Sequence, residues 1–554
     1  SWVMIHAVAV SLYRQFEPMG QFPDARVAVP GPGLDGQPAR GTVSHLGPTG
    51  FFWSERAFHY RTALMFAVDD YQDPAVLTND TWQQHPDGVN AWREYTLLME
   101  PFYGFLYRLA GDQSRPFAEF LLRLVPLVHV LAFFGIYGVV RALGGRPLAA
   151  ALAVVVAATC TLGFLRLSGS LLLKEDFALL LLTSFLALHL GAWRHGGRGL
   201  TLAAALLLVP LLASWHLAQF LVLVVLTGAA LAWAVRRADD PEDEGPWPGM
   251  PLVYLGAALV AAVTPSLAER AFWFSLPVAV LVAWSGVALL ERSRRGGALP
   301  RPARLAAVVG LMVLTGAGFL MLGAAGGDYG HVFGLLVAKI SNGFVKPADP
   351  DLLSFDVRVF WAAPFHSPSW NEIWAKLGWH TLLLGPAVLY SLVRGLSPGE
   401  GALRRSFLLT VPVFAAGWLL VERLGVVFLP VGSVAAAVMI GSLAGRFEAG
   451  GWTRPRTVAV LVAGLGLTAA LNMPTNLGDM LKITRQVTRG RDVMMGVSDR
   501  GRHEAWRDLF TWVRRATPRD AAFLGEIGVS PQLLLYTCLL YTSDAADECC
   551  GVGL

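Results

Sequence analysis

Residues 117–165 read FAEFLLRLVPLVHVLAFFGIYGVVRALGGRPLAAALAVVVAATCTLGFL, and this stretch decides the fold class of the chain. It consists of two apolar runs separated by a short turn that carries Arg141 and Arg146. Each run is close to the roughly 20 residues that a helix needs to cross the hydrocarbon core of a bilayer. The stretch therefore predicts two membrane-spanning helices joined by a basic turn.

The composition of the whole chain agrees with a membrane protein. Hydrophobic residues make up 54% and charged residues 15% of the 554 residues, and the mean hydropathy is +0.50. Soluble chains average about 25% charged residues, so lipid is the expected solvent. The formal net charge is only +4, and the sequence has no basic stripe with interleaved aromatic residues. We therefore expect no nucleic-acid partner.

The same apolar pattern recurs along most of the chain. A window of about 20 residues predicts an all-α polytopic membrane protein with about 13 transmembrane helices. The break between two of these helices, near Trp215 and His216, is the least sharply marked. The predicted spans centre on residues 1–13, 117–140, 147–165, 177–193, 199–214, 216–235, 251–268, 271–290, 304–325, 379–394, 405–421, 425–444 and 456–472.

Basic residues occur in alternate loops between these spans. Because short cytoplasmic loops are enriched in Lys and Arg, the arginine-rich turns are predicted to face the cytoplasm. Two long loops, at residues 14–116 and 326–378, then lie outside, and loops of this length are usually functional. The abundance of Ala, Gly, Arg and Leu suggests a GC-rich bacterial source. We therefore predict a multi-pass protein of the bacterial inner (plasma) membrane with its active site on the extracytoplasmic face.

The ends of the chain are interpreted separately from the membrane domain. Residues 1–472 are predicted to form that domain, beginning with the second half of a truncated helix, and residues 473–537 to begin a C-terminal extracytoplasmic domain. Residues 538–554 resemble a sequencing-library adapter translated in frame, and we interpret them as an adapter-derived artefact. Before that segment the one cysteine is Cys160, so neither a disulfide framework nor a cysteine-based metal site is predicted.

The first outer loop contains several side chains of the kinds that carry chemistry. A helix that holds Glu55, His59 and Arg61 would bring charge to the membrane surface. Three acidic clusters in this loop provide the oxygen ligands that a hard divalent cation prefers. A solvated polar loop is the simpler explanation for the acids between residues 69 and 73. The residues that flank Glu55 and Asp80 favour a functional role for those two acids.

Four segments place charged residues at predicted outer edges of the membrane. They are Glu55…Phe58-His59-Tyr60-Arg61, Asp80-Thr81-Trp82…Pro86-Asp87-Gly88, Arg166-Leu-Ser-Gly-Ser-Leu-Leu-Leu-Lys-Glu-Asp176 and Arg423-Leu-Gly-Val-Val-Phe-Leu-Pro430. Together with the span number and the sidedness, they resemble the catalytic subunit of oligosaccharyltransferase, a GT-C superfamily membrane glycosyltransferase. The resemblance covers nearly the whole chain. It implies a lipid-phosphate-linked sugar donor and a metal ion held by loop carboxylates.

The chain departs from this family pattern at three places. Glu55 replaces the usual Asp, and Lys174 stands beside acids that come a residue or more late. The family recognises the acceptor Ser/Thr with a Trp-Trp-Asp-Tyr-Gly segment, where this chain has Gly525-Glu-Ile-Gly-Val529. The resemblance therefore implies a relative with a divergent acceptor-recognition motif, which transfers sugar to an acceptor other than an Asn-x-Ser/Thr sequon.

The resemblance and the chemistry of the reaction together assign roles. A divalent cation (Mn²⁺ or Mg²⁺) and an arginine both stabilise a departing phosphate, and an acceptor hydroxyl needs a carboxylate base. A guanidinium suits a phosphate because its planar fork binds two oxygens. The predicted catalytic residues are Glu55 and Asp80, the substrate-binding residues are Arg423, Arg61 and Arg166, and the metal ligands are Glu55, Glu175, Asp176 and Glu372.

Two of these assignments have structural alternatives. Glu175 and Asp176 can instead form ion pairs with Lys174 or Arg166, although a membrane-edge acid is a functional candidate by default. Arg423 can pair with the neighbouring Glu422 or extend to the membrane interface. The sequence leaves these alternatives open.

The preferred function is a metal-dependent membrane glycosyltransferase. It would move a sugar or oligosaccharide from a polyprenyl-(pyro)phosphate donor to a protein, lipid or polysaccharide acceptor, with membrane lipids around it. The alternative from another class is a lipid-linked-sugar flippase or transporter. Transporters often have repeated halves and charges at the bilayer midplane, whereas the charges of this chain cluster at the outer edge. A non-catalytic assembly subunit is the third interpretation.

Overall fold

The chain forms two compact units. The computed structural model describes residues 28–29, 39–40, 55–68, 73–83, 87–110, 116–160, 162, 172–236, 245–293, 299–323, 330–354, 357–358, 361, 365–397, 399–451, 453–456, 458–459, 462–464, 466, 508–513, 515–518, 521–524 and 540–542. Unit one comprises Ser1–Val130, Leu165–Phe177 and Leu477–Leu554, and unit two comprises Leu131–Phe164 and Ala178–Asn476.

The protein is an all-α polytopic membrane protein. Its described helices are, in chain order, α1 (Glu55–Ala67), α2 (Ala91–Glu94), α3 (Met99–Leu109), α4 (Phe117–Ala142), α5 (Pro147–Thr159), α6 (Lys174–His195), α7 (Arg198–Ser214), α8 (Ala218–Ala234), α9 (Met250–Ala261), α10 (Pro265–Glu269), α11 (Leu276–Ser293), α12 (Arg301–Gly323), α13 (Gly330–Ser341), α14 (Trp370–Leu377), α15 (Thr381–Leu396), α16 (Ala402–Leu408), α17 (Thr410–Leu420) and α18 (Gly425–Ala449).

The strands of the described residues are short, each only two or three residues long. An antiparallel pair joins β1 (Ala28–Val29) to β2 (Ala39–Arg40), and a parallel pair joins β3 (Ala522–Leu524) to β4 (Leu540–Thr542). A single antiparallel bridge links Asp80 to Val89 in the segment between α1 and α2. Each pair is too small to form a core.

Helices fill some of the predicted spans completely and others only in part, since α5 ends at Thr159 and α9 ends at Ala261. In the described part of the chain, 6 helical segments are long and apolar enough to cross a membrane, and four shorter apolar helices accompany them. The predicted break near Trp215 is confirmed, because α7 ends at Ser214 and α8 begins at Ala218. The span at 1–13 lies outside the described residues and that at 456–472 is described only in part, so the number 13 stays a prediction.

Close packing of α1 against α3 organises the described part of unit one. A Cβ atom added to Gly104 would lie 2.5 Å from Phe66 Cβ, so glycine is required for this approach. Every residue of α1 from Arg56 to Ala67 is buried, including the polar ones. The predicted helix that holds Glu55, His59 and Arg61 is therefore confirmed, but its His and Arg are buried inside unit one.

Unit two is built around α18, whose residues from Gly425 to Val438 are all buried. Small residues allow its helices to approach closely, as is usual where lipid removes the hydrophobic drive for association. Thr183 of α6 donates to Ala132 O at 3.0 Å, and a Cβ on Gly135 would lie 2.4 Å from Thr183 Oγ1. Such contacts bring the helices of unit two into van der Waals packing.

Several of the arginine-rich turns contact one another within unit two. Arg194 donates to Arg141 O at 2.7 Å, and Arg404 donates to Leu143 O at 3.3 Å. Arg146 pairs with Glu448 through two hydrogen bonds of 2.6 and 2.7 Å. These turns, predicted to share one side of the membrane, thus lie together in space.

Candidate functional site

Arg61 and Asp80, predicted to have separate roles, form a buried ion pair in unit one. Arg61 lies on α1, and Asp80 is held by its bridge to Val89. Arg61 Nη1 donates to Asp80 Oδ2 at 2.5 Å and Nη2 donates to Oδ1 at 3.2 Å. Gln83 Nε2 and the Trp82 backbone N–H also donate to this carboxylate, at 2.6 and 3.2 Å. The Asp80 carboxylate thus accepts four hydrogen bonds and anchors the loop to α1.

A second buried pair joins α1 to α3. His59 Nδ1 lies 2.7 Å from Glu100 Oε1, and both side chains are fully buried. Burial alone would raise the pKa of Glu100, but the hydrogen bond from His59 and the charge of Lys174 lower it below its ordinary value. Glu100 is therefore a buried carboxylate. Sequence reasoning missed it, although a glutamate inside the apolar run Leu97-Leu-Met-Glu-Pro-Phe102 is a signal for a functional acid.

Lys174, Glu175 and Asp176 begin α6, and each is only 2% exposed. Acids in a first helical turn interact favourably with the helix dipole. Lys174 Nζ donates to Thr96 Oγ1 at 3.2 Å, and Asp176 Oδ1 lies 4.0 Å from His129 Nδ1. Burial, followed by the charges of Asp176 and Glu100, raises the pKa of Tyr103 well above its ordinary value. Unit one thus gathers a buried acidic cluster with Lys174 and two histidines beside it.

Arg423 occupies the turn between α17 and α18 in unit two. This turn, Glu422–Leu424, is a single 3₁₀ turn, and Arg423 is only 3% exposed. The guanidinium carbon lies 5.6 Å from the centroid of the Phe365 ring, within the range of a cation–π contact. The neighbouring Glu422 forms ion pairs with Lys376 and with His366, the latter at 3.4 Å. Arg423 therefore lies directly beside a set of ion pairs that joins its turn to His366 and to α14.

Glu372, predicted as a metal ligand, caps helix α14. Its Oε2 accepts hydrogen bonds from Ser369 N at 2.7 Å and Ser369 Oγ at 2.8 Å, which completes a capping box. Its Oε1 lies 2.9 Å from His366 Nε2. The backbone hydrogen bond from Ser369, together with His366, lowers the pKa of Glu372 to about 2. Both carboxylate oxygens are thus engaged by neighbouring residues.

The metal ligands predicted in unit one have suitable chemistry but do not by themselves form a complete cage. Among the residues that the structure describes, no group of three His, Cys, Asp or Glu side chains is arranged to hold a metal ion. Glu55 is half-buried at the start of α1, and Glu175 and Asp176 are buried at the start of α6. Carboxylate oxygens suit Mg²⁺ or Mn²⁺, which protein sites often hold with one or two carboxylates plus substrate phosphates. The donor set fits that kind of shared site.

Two predicted elements of the site fall outside the described residues. Arg166, predicted to bind substrate, lies there, as does Gly525-Glu-Ile-Gly-Val529. The acids Asp69 and Asp70 also lie there. Their predicted roles stay predictions.

The buried charges and the helical architecture together define a polytopic membrane protein with acids and an arginine buried where membrane helices begin or end. No protein-family model and no curated protein sequence matches the chain. Among solved structures, its fold is similar to that of the archaeal oligosaccharyltransferase AglB from Archaeoglobus fulgidus, which has the GT-C fold.

Three AglB structures share this similarity. The complex with an inhibitory peptide and a dolichol-phosphate has a TM-score of 0.64 at 13% identity, over 98% of this chain and 64% of that one. The form tethered to an acceptor peptide containing an NVT sequon gives 0.61 at 12%, over 89% and 60%. The apo form gives 0.56 at 12%, over 98% and 64%. The chain thus spans less than two thirds of the proteins whose fold it shares.

Proposed function

We propose that this protein is a membrane glycosyltransferase that moves a sugar or oligosaccharide from a polyprenyl-(pyro)phosphate donor to an acceptor hydroxyl on the extracytoplasmic face of a bacterial inner membrane. The observation that carries the proposal is the fold similarity over 98% of this chain to an oligosaccharyltransferase solved with a dolichol-phosphate. The buried arginine and the buried acids support it, because phosphate departure and hydroxyl activation need these two kinds of group.

The proposed reaction exchanges one bond at the anomeric carbon of the sugar. The bond from this carbon to the donor phosphate oxygen breaks, and a bond to the acceptor oxygen forms. The lipid (pyro)phosphate leaves with the electron pair, and the acceptor hydroxyl gives its proton to a carboxylate. Glu55 is the better candidate for that base, because its side chain is partly exposed to an incoming acceptor, whereas Asp80 is completely buried.

Phosphate binding is assigned to Arg423, with Arg61 and Arg166 as the other predicted substrate contacts. A divalent cation, when bound, would neutralise charge that develops on the departing phosphate. Glu55, Glu175 and Asp176, which all belong to unit one, are its proposed ligands. Glu372 is the weakest of the predicted ligands, because its two oxygens already bind Ser369 and His366.

The acceptor is proposed to be a protein, lipid or polysaccharide that bears a hydroxyl group. The sequence Gly525-Glu-Ile-Gly-Val529 replaces the acceptor-recognition segment of oligosaccharyltransferases, so we propose an acceptor other than an Asn-x-Ser/Thr sequon.

The proposal is tested with the protein reconstituted in nanodiscs. We would measure release of polyprenyl phosphate or pyrophosphate from a mixed pool of lipid-linked sugars, with and without Mn²⁺. The variants are Glu55→Gln and, as the matched control, Asp87→Asn, which removes an exposed acid from the same outer loop. We expect Mn²⁺-dependent turnover that is lost in Glu55→Gln and kept in Asp87→Asn. Absence of turnover with every donor, together with lipid-sugar translocation in liposomes, would favour the flippase.

A further inference from the structure

Lys339 of α13 is a fully buried lysine in unit two whose contacts are with carbonyl groups and an aromatic ring. It donates hydrogen bonds to the backbone oxygens of Phe365 and Leu420. Its Nζ lies 5.8 Å from the centroid of the Trp361 ring. Within the described part of the chain it pairs with no carboxylate. A buried ammonium without a counter-ion is costly, so its position calls for a specific role.

The two carbonyl groups that Lys339 binds belong to segments that also bind each other. Ser367 Oγ donates to Leu420 O at 3.0 Å, and the Glu422 N–H donates to His366 O at 3.0 Å. Lys339 adds a contact from a third element, α13, to both segments at once. The outer-loop segment 365–367 is therefore held against the turn 420–422.

Phe365 connects this junction to Arg423. Lys339 holds the backbone of Phe365, and the ring of the same residue lies under the Arg423 guanidinium, 5.6 Å from its carbon to the ring centroid. A ring face restricts the plane and the direction of a guanidinium, and both decide which oxygens it can bind. Displacement of the Phe365 backbone would therefore move the surface that orients Arg423.

We propose that Lys339 is a positioning residue for binding of the donor phosphate, because it holds Phe365 in the place where its ring orients Arg423. The inference rests on the proposed function, in which Arg423 binds the phosphate of the lipid-linked sugar. Lys339 itself contacts no substrate in this arrangement. It acts through Phe365. Substitution of Lys339 is therefore expected to weaken the contact between Arg423 and the donor phosphate without removing it.

The test measures binding of polyprenyl phosphate to the protein in nanodiscs, together with KM and kcat for the donor pool. The variants are Lys339→Met, Arg423→Ala and the double variant. Asp351→Asn is the control, because Asp351 is an exposed charged residue of the same long loop.

We expect Lys339→Met to weaken polyprenyl phosphate binding about tenfold to a hundredfold, the range for loss of a charge-assisted contact. KM for the donor should rise by a similar factor, with a smaller change in kcat, and Asp351→Asn should match the wild type. The double variant should bind no more weakly than Arg423→Ala alone. This non-additivity is the decisive readout, because a purely structural lysine would weaken binding further in the Arg423→Ala background.

Other outcomes overturn the inference. Unchanged binding in Lys339→Met, or additive losses in the double variant, would exclude action through Arg423. If Lys339→Met does not fold, Phe365→Leu decides: it keeps the backbone oxygen for Lys339 and removes the ring. Wild-type binding in Phe365→Leu would contradict the inference, and a tenfold loss would support it. A different result would separate the two proposals. If the losses of phosphate binding in Lys339→Met and Arg423→Ala are non-additive as expected but no glycosyl transfer is detected, the proposed function is refuted and the link from Lys339 to Arg423 is kept.

Discussion

His59 Nδ1 lies 2.7 Å from Glu100 Oε1, with both side chains shielded from solvent between α1 and α3. The two residues come from different helices, and their pairing joins the helix that begins at Glu55 to the buried acidic cluster. Truncation of one member of a buried pair leaves the other charge uncompensated, whereas the intact pair contributes little net stability. Substitution of one partner should therefore lower the stability of the protein measurably, although the intact pair adds little to it.

Glu100→Ala is therefore expected to destabilise the protein by about 3–5 kcal/mol, because His59 and the charge of Lys174 lose their buried partner. Glu100→Gln keeps the shape and one hydrogen bond, so its loss should be smaller. The readout is the thermal transition in detergent, with the exposed Asp351→Asn as control. Equal transitions for Glu100→Ala and the wild type would contradict a structural role for this pair.

The buried ion pair of Arg61 and Asp80 predicts that substitutions of the two residues have strongly non-additive effects on stability. Each single alanine variant should lower stability, and the double variant should lose less than the sum, with a coupling of about 1.5–3 kcal/mol for buried charged hydrogen bonds. A double-mutant cycle on the thermal transition measures this coupling. Asp80→Asn then separates two roles: activity and stability that fall together indicate an anchor, whereas lost activity at wild-type stability would indicate a catalytic base.

Burial of Lys339 predicts that the stability of the protein increases with pH in the alkaline range. Burial lowers its pKa to about 8 from 10.5, so between these values the unfolded chain binds more protons than the folded protein. Stability of the wild type relative to Lys339→Met should therefore be constant below pH 8. It should rise above pH 8, by at most about 1.4 kcal/mol per pH unit. Thermal transitions of both proteins from pH 6 to 10 test this, and a constant difference throughout would refute it.

Glu372 allows the capping role to be separated from metal binding. The Ser369→Ala and Glu372→Ala variants should each lower the free energy of unfolding by about 1 kcal/mol. The double variant should lose little more, because the two substitutions disrupt the same capping box. The Mn²⁺ concentration for half-maximal turnover should stay at the wild-type value in all three. A rise in this concentration for Glu372→Ala alone would instead identify Glu372 as a metal ligand.

The low pKa of the Glu372 carboxylate also predicts that its stabilisation of α14 is lost in acid. Its pKa in the folded protein, about 2, lies below its ordinary 4.5, so its stabilising contribution is full above about pH 4.5 and is lost as the pH falls toward 2. The wild type should therefore lose more stability over this interval than Glu372→Gln, as followed by the thermal transition. Parallel losses in the two proteins would contradict the capping geometry.

Much of the architecture could be predicted from local pattern. The helices α4, α6 and α18 coincide with apolar runs, because a bilayer requires each span to satisfy its own backbone hydrogen bonds within one continuous segment. The helix with Glu55, His59 and Arg61 was also predictable. The partners of its side chains were not, because they depend on the packing of α1 against α3 around Gly104.

The sequence by itself determined that this is a polytopic, all-α membrane protein. Long apolar runs and arginine-rich turns are local features of the sequence, and they decide which segments insert into a membrane and in which orientation. Only the tertiary structure decided that Asp80 binds Arg61, that Glu372 caps a helix and that Lys339 binds the backbone of Phe365, whose ring lies beside Arg423. The physical reason is that a buried charge needs a partner, and the fold, not the neighbouring sequence, decides which group comes within hydrogen-bonding distance.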